Sequence, residues 1–117
     1  MIDRRGTGDI VTSCGGHIPF CDEQYGILFE KAAEDAGLTG WNCTSGGSSD
    51  TRIWAEKGIQ SVNLSAGYNY EHTSQEILDV KACRNTLKLV LSFFNNSREL
   101  QRTLRTISIK EGIALLG

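Results

Sequence analysis

Two stretches of the chain carry apolar residues at helical spacing. Tyr25, Leu28, Phe29, Ala32, Ala33 and Ala36 recur at three- and four-residue steps, which predicts one apolar face of an α-helix. Asp22 stands where a helix N-cap accepts a backbone N–H, and Glu23 follows it at the positive end of the helix dipole. Gly37 fits the C′ position, where a left-handed backbone carries no Cβ strain. The second stretch follows Asp79, a candidate cap. There Ala82, Cys83, Thr86, Leu87, Val90, Leu91 and Phe94 predict a helix with this stripe turned inward. Asn95-Asn-Ser97 interrupts the pattern, and the sequence leaves open whether Arg98–Gly117 extends the helix or forms a loose tail.

Shorter runs read as strands. Asp9–Cys14 is rich in β-branched residues and ends at Gly15-Gly16, a strand and a turn; Pro19 falls in the connection beyond, where its missing N–H does no harm. Trp41–Thr44 is a weaker strand that runs into the small-residue loop Ser45–Ser49. A short helix is expected over Asp50–Lys57, with Ile53 and Trp54 inward and Gly58 closing it. Val62 and Leu64 bracket a third strand within Ile59–Ser65, with Ile59 out of phase. Strand and helix therefore alternate three times, which predicts an α/β layered domain with a mostly parallel sheet and right-handed crossovers.

At 117 residues the chain suits one small domain. Fourteen acidic against twelve basic residues leave no electrostatic footprint for nucleic acid. No apolar run approaches the roughly 20 residues of a membrane span, and Met1-Ile-Asp-Arg-Arg5 lacks the apolar stretch of a secretory signal; a cytoplasmic location is expected. Cys14, Cys21, Cys43 and Cys83 have irregular spacing and no C-x-x-C, which favours reduced, mostly buried thiols over disulfides or a thiol-metal site.

The residue types of catalysis are sparse. His17 and His72 are the two histidines, and there is no H-E-x-x-H, no G-x-S-x-G after a strand and no phosphate loop. The glycine-rich run Asp3–Asp9 precedes a strand rather than a helix, so it offers no helix N-terminus to an anion. Glu71-His-Thr-Ser74 directly follows the third strand, at the end where open α/β sheets hold ligands. Thr73 with Glu76 also matches a capping box, a purely structural role for the same loop.

Four motifs in order, Asp3-Arg-Arg-Gly-Thr-Gly-Asp-Ile-Val11, Gly46-Gly-Ser-Ser-Asp-Thr51, Val62-Asn-Leu-Ser-Ala-Gly-Tyr68 and Glu71-His-Thr-Ser-Gln-Glu76, resemble the C-terminal part of the co-catalytic zinc exopeptidases, the di-zinc aminopeptidases with their carboxypeptidase and deacylase relatives. The resemblance spans about residues 2–94. It implies a zinc-exopeptidase (phosphorylase/hydrolase-like) fold and, in the intact enzyme, two zinc ions about 3.5–4 Å apart that activate a water against a peptide bond. By this resemblance Asp3 matches the later carboxylate ligand and His72 the final histidine, both suitable zinc donors. Glu71 and Glu76 match neighbouring or capping groups, while Tyr68 and Asp50 fall in motifs that flank the substrate cleft.

The departures from the family pattern matter equally. The chain has no H-x-D and no Glu-Glu pair, so the bridging carboxylate and the general base have no counterpart and no catalytic residue is assigned. The expectation is therefore a C-terminal portion of a zinc peptidase over residues 1–95, with 96–117 as extension or tail. Its zinc site is incomplete and it is inactive alone. The intact enzyme would take a peptide substrate, and half a sheet would leave an exposed edge through which the chain self-associates. The competing expectations are a non-catalytic interaction domain that keeps the fold, and a redox or metal-responsive thiol domain.

Overall fold

A computed structural model describes residues 1–15, 18–47, 50–69, 77–78 and 80–116, with backbone alone at 68–69, 77–78 and 112–116. The described elements are β1 (Ile2–Arg4), β2 (Asp9–Cys14), β3 (Ile18–Pro19), α1 (Glu23–Asp35), β4 (Asn42–Gly46), α2 (Thr51–Glu56), β5 (Asn63–Ser65), β6 (Tyr68–Asn69), β7 (Ile77–Leu78), α3 (Val80–Asn95) and α4 (Ser97–Leu116).

The fold is α/β, but the sheet is mixed rather than mostly parallel. β1 runs parallel to β5 and β4 parallel to β2, whereas β2 is antiparallel to both β5 and β3. The 13 residues of α1 extend about 20 Å at 1.5 Å per residue, enough to carry the chain back along the sheet so that β4 starts level with β2. The six residues of α2 extend only about 9 Å. The chain enters β5 from the end where it left β4, so that β5 runs antiparallel to β2, with Ile10 facing Leu64 and Val11 facing Asn63. Pro19 lies in the short strand β3, where Ser13 faces Pro19 and Cys14 faces Ile18. A two-residue strand at the end of the order β1-β5-β2-β3 tolerates a proline.

Helix α1 forms as its sequence predicts. The Asp22 side chain accepts the Gln24 N–H at 3.0 Å, Gly37 takes the left-handed backbone with φ 76°, and Phe29, Ala32 and Ala33 are buried. Gly26 lets the helix approach the sheet closely. A Cβ there would stand 3.0 Å from both Cys43 Sγ and Thr12 Cγ2.

Helix α3 departs from its predicted phase. Its buried residues are Ala82, Thr86, Leu89 and Phe93, whereas Cys83, Leu87, Leu91 and Phe94, expected inward, are exposed. Phe93 stacks on Phe29 with ring centroids 4.0 Å apart, and Tyr25 meets both rings edge-on. These aromatics join Ile10, Trp41, Val62, Leu64 and Leu89 in one core. In α2 likewise, Ile53 and Trp54 are exposed and Thr51 is the buried residue. Residues 97–116 form the helix α4, tied to α1 by Lys31–Glu99 at 2.8 Å and seated through the buried Ile107. No helix among the described residues is long and apolar enough to cross a membrane.

Candidate functional site

Asp3 is an exposed residue of β1, and the chain around it is held from three directions. The β1–β5 register slips between Ile2 and Arg4, and at the slip the Asp3 N–H donates to Asn63 Oδ1 at 3.0 Å. Asn63 opens β5 and is buried, where an unpartnered amide would be costly. Arg4 Nε pairs with Asp9 Oδ2 at 3.2 Å, which fastens β1 to the start of β2. The Asp9 N–H donates to Ser65 Oγ at 3.1 Å, while the Ser65 carbonyl accepts from Thr86 Oγ1 at 2.7 Å, on the inner face of α3. Ser65 and Thr86 are almost wholly buried.

Two glycines of the sequence motifs occupy close approaches in this frame. A Cβ on Gly46 would stand 2.7 Å from Val11 Cγ1 and 3.4 Å from Arg4 Nη1, so the end of β4 passes over this corner only without a side chain. Gly67 has φ 95°, and a Cβ there would lie 2.8 Å from the backbone nitrogen of Cys83. The chain thus leaves β5 pressed against the first turns of α3. It then enters β6, which pairs antiparallel with β7, Tyr68 opposite Leu78 and Asn69 opposite Ile77.

Of the predicted site residues, Asp3 stands on β1 at this corner and Tyr68 opens β6 just beyond the carboxyl end of β5. Asp50 is the exposed N-cap residue of α2, in α-helical backbone with no side-chain cap bond. His72, Glu71, Thr73 and Glu76 lie outside the described residues, as does His17. Among the described residues no group of three or more His, Cys, Asp or Glu side chains is placed to hold a metal. Asp3 supplies one carboxylate, and zinc takes three or four protein ligands. The described residues therefore do not hold a zinc ion by themselves.

The sequence reading missed the polar chain Arg4–Asp9–Ser65–Thr86 and the Asn63 amide. The sequence signal was weak: Asn63 and Ser65 alternate with Val62 and Leu64 as an outward polar face would, and only their burial shows that they need partners. The cysteines, expected mostly buried, are free, with Cys14, Cys21 and Cys43 half-buried and Cys83 exposed. Burial, reinforced by Cys43 and Asp22, pushes the Cys21 thiol up to about 12. Burial, with Glu30 and Glu23, pushes Cys43 up to about 11. Both stay protonated at neutral pH and are poor nucleophiles.

No family model matches the chain, and no solved structure matches it. A stretch of 70 residues is 34% identical to the uncharacterized protein YqjE of Bacillus subtilis (strain 168). That stretch resembles one part of a longer protein. It takes in 60% of this chain and only 19% of YqjE.

Proposed function

We propose that this chain corresponds to the C-terminal part of a zinc-dependent, aminopeptidase-like exopeptidase, and that its Asp3 and His72 each supply one metal donor to a centre completed by residues from elsewhere in the enzyme. The observation that carries this reading is the meeting of three separate motifs at one corner. Asp3-Arg4, Gly46 and Asn63–Ser65 are far apart in sequence, yet Asn63 holds the Asp3 backbone and Gly46 lies against the Arg4 guanidinium. A buried polar frame behind one exposed carboxylate is what a ligand-positioning strand requires, because ligand orientation is set by the groups around it. The partial match to a longer protein is compatible with a portion of a larger enzyme. The substrate would be a peptide. Asp50 and Tyr68 stay assigned to the margin of its cleft on the motif resemblance.

Isothermal titration of the full chain with Zn²⁺ tests the ligand assignment. Weak binding is expected, lost in both Asp3→Asn and His72→Ala, with the fold checked by circular dichroism. Equal zinc affinity in all three chains overturns the assignment. Because H-x-D and Glu-Glu are absent, the isolated chain is expected to release no product from an amino-acid p-nitroanilide in the presence of zinc. Turnover that disappears in His72→Ala would mean that the chain carries a complete centre.

A further inference from the structure

The outer face of α3 has no partner among the described elements. Val80, Leu87, Leu91 and Phe94 are between 55% and 64% exposed, and their spacing of seven, four and three residues places them on one narrow seam along the helix, about 21 Å long. Scattered exposed apolar residues are ordinary; four aligned on one helix mark an interaction surface. The opposite face of α3 is already committed to the core through Ala82, Thr86, Leu89 and Phe93, so the seam is not a misplaced core stripe.

Charge identifies what covers it. Residues 80–95 contain Lys81, Arg84 and Lys88 and no carboxylate, and all three cations are exposed. Arg84 falls on the seam itself, while Lys81 and Lys88 each sit one residue from a seam position. A second copy laid along the same face would bring three more cations and no anion, leaving every charge without a counterpart. A narrow two-per-heptad seam is the footprint of another helix rather than of a lipid surface, which favours a broader apolar face. We propose that α3 docks an amphipathic helix of a partner protein whose own apolar seam is flanked by Asp or Glu, in the helix-on-helix manner of coiled-coil pairs.

The test uses the full chain and two fluorescent peptides of about three heptads, each with one leucine seam and monomeric at the assay concentration, one flanked by Glu and the other by Lys. Fluorescence anisotropy is expected to show binding of the Glu peptide, weakened at least about tenfold in the Leu87→Ser/Leu91→Ser chain. The Arg84→Glu/Lys88→Glu chain should lose about tenfold for the Glu peptide and gain for the Lys peptide. These positions are exposed, so circular dichroism should show each variant folded. Failure to bind the Glu peptide, or equal binding of both peptides by the wild-type chain, overturns the proposal. Two further results also overturn it. One is a dimer in sedimentation that Leu91→Ser dissolves while the Glu peptide does not compete. The other is binding of phosphatidylserine vesicles in preference to the peptide.

Discussion

Helices α1 and α3 pack against each other and share one aromatic core, yet they treat their surroundings differently. α1 buries one face, is capped at Asp22 and closed at Gly37, and outside the core carries mainly charged side chains. α3 buries one face and offers another that is equally apolar. The two helices contribute rings to the same stack, Phe29 from one and Phe93 from the other. The lesson is that apolar spacing fixes the inward face of a helix only when the outward face is polar. Where both faces are apolar, neighbouring elements decide the phase.

Phe93 and Phe94 give the sharpest way to break this comparison, since adjacent residues of one helix should behave oppositely. Phe93 is buried against Phe29, and Phe93→Ala is expected to cost about 3–5 kcal/mol in urea unfolding. Phe94 is 62% exposed, so Phe94→Ala should change stability by less than about 1 kcal/mol. Similar losses for both would mean that the helix packs in the phase its apolar spacing suggests.

The contact of β5 with α3 supplies the next largest effect. Gly67 combines a left-handed backbone with a Cβ position 2.8 Å from the Cys83 nitrogen. Gly67→Ala should therefore destabilise by about 1–3 kcal/mol. At Gly37, whose φ is also positive but which has open space around its Cβ, alanine should cost only about 1 kcal/mol. Equal costs at the two positions would show that the close approach to α3 contributes nothing beyond the backbone angle.

Much of the architecture was legible in the sequence. Caps and glycines marked α1, and Val62 with Leu64 marked β5, because each rests on local chemistry. Strands of two or three residues such as β1, β3, β6 and β7 are too short to show a period of two, and they emerge only from pairing with distant segments. The direction of β5 was missed because orientation depends on how the chain returns to the sheet and on which strand it pairs with, not on any residue within the strand. At the candidate site Asp3 was legible through its motif. The Asn63 and Ser65 contacts were not, because a buried polar residue signals a need for a partner without saying which one.

The smallest effect concerns the cap that gives α1 its definite start. Asp22 is bonded by Lys110 Nζ at 2.6 Å and by the Gln24 N–H at 3.0 Å, and these two contacts, the lysine first, hold its carboxyl below the usual aspartate value of 3.8. A carboxyl depressed on folding stabilises the native state at pH values above its unfolded value, and that stabilisation is lost as pH falls through the folded one. Asp22→Ala should cost about 1 kcal/mol at pH 7, and the difference from wild type should shrink as the pH drops below 3.8. Asp22→Asn separates the two contacts. The amide oxygen still accepts the Gln24 N–H, so most of the cap survives at pH 7, while the charge that Lys110 meets is gone. Its stability relative to wild type should therefore improve steadily on acidification, read as urea midpoints that converge as the pH falls below 3.8. A gap that stays constant as the pH falls would mean that Lys110 contributes nothing to the cap, and that α1 is defined at this end by backbone geometry and the Gln24 bond alone.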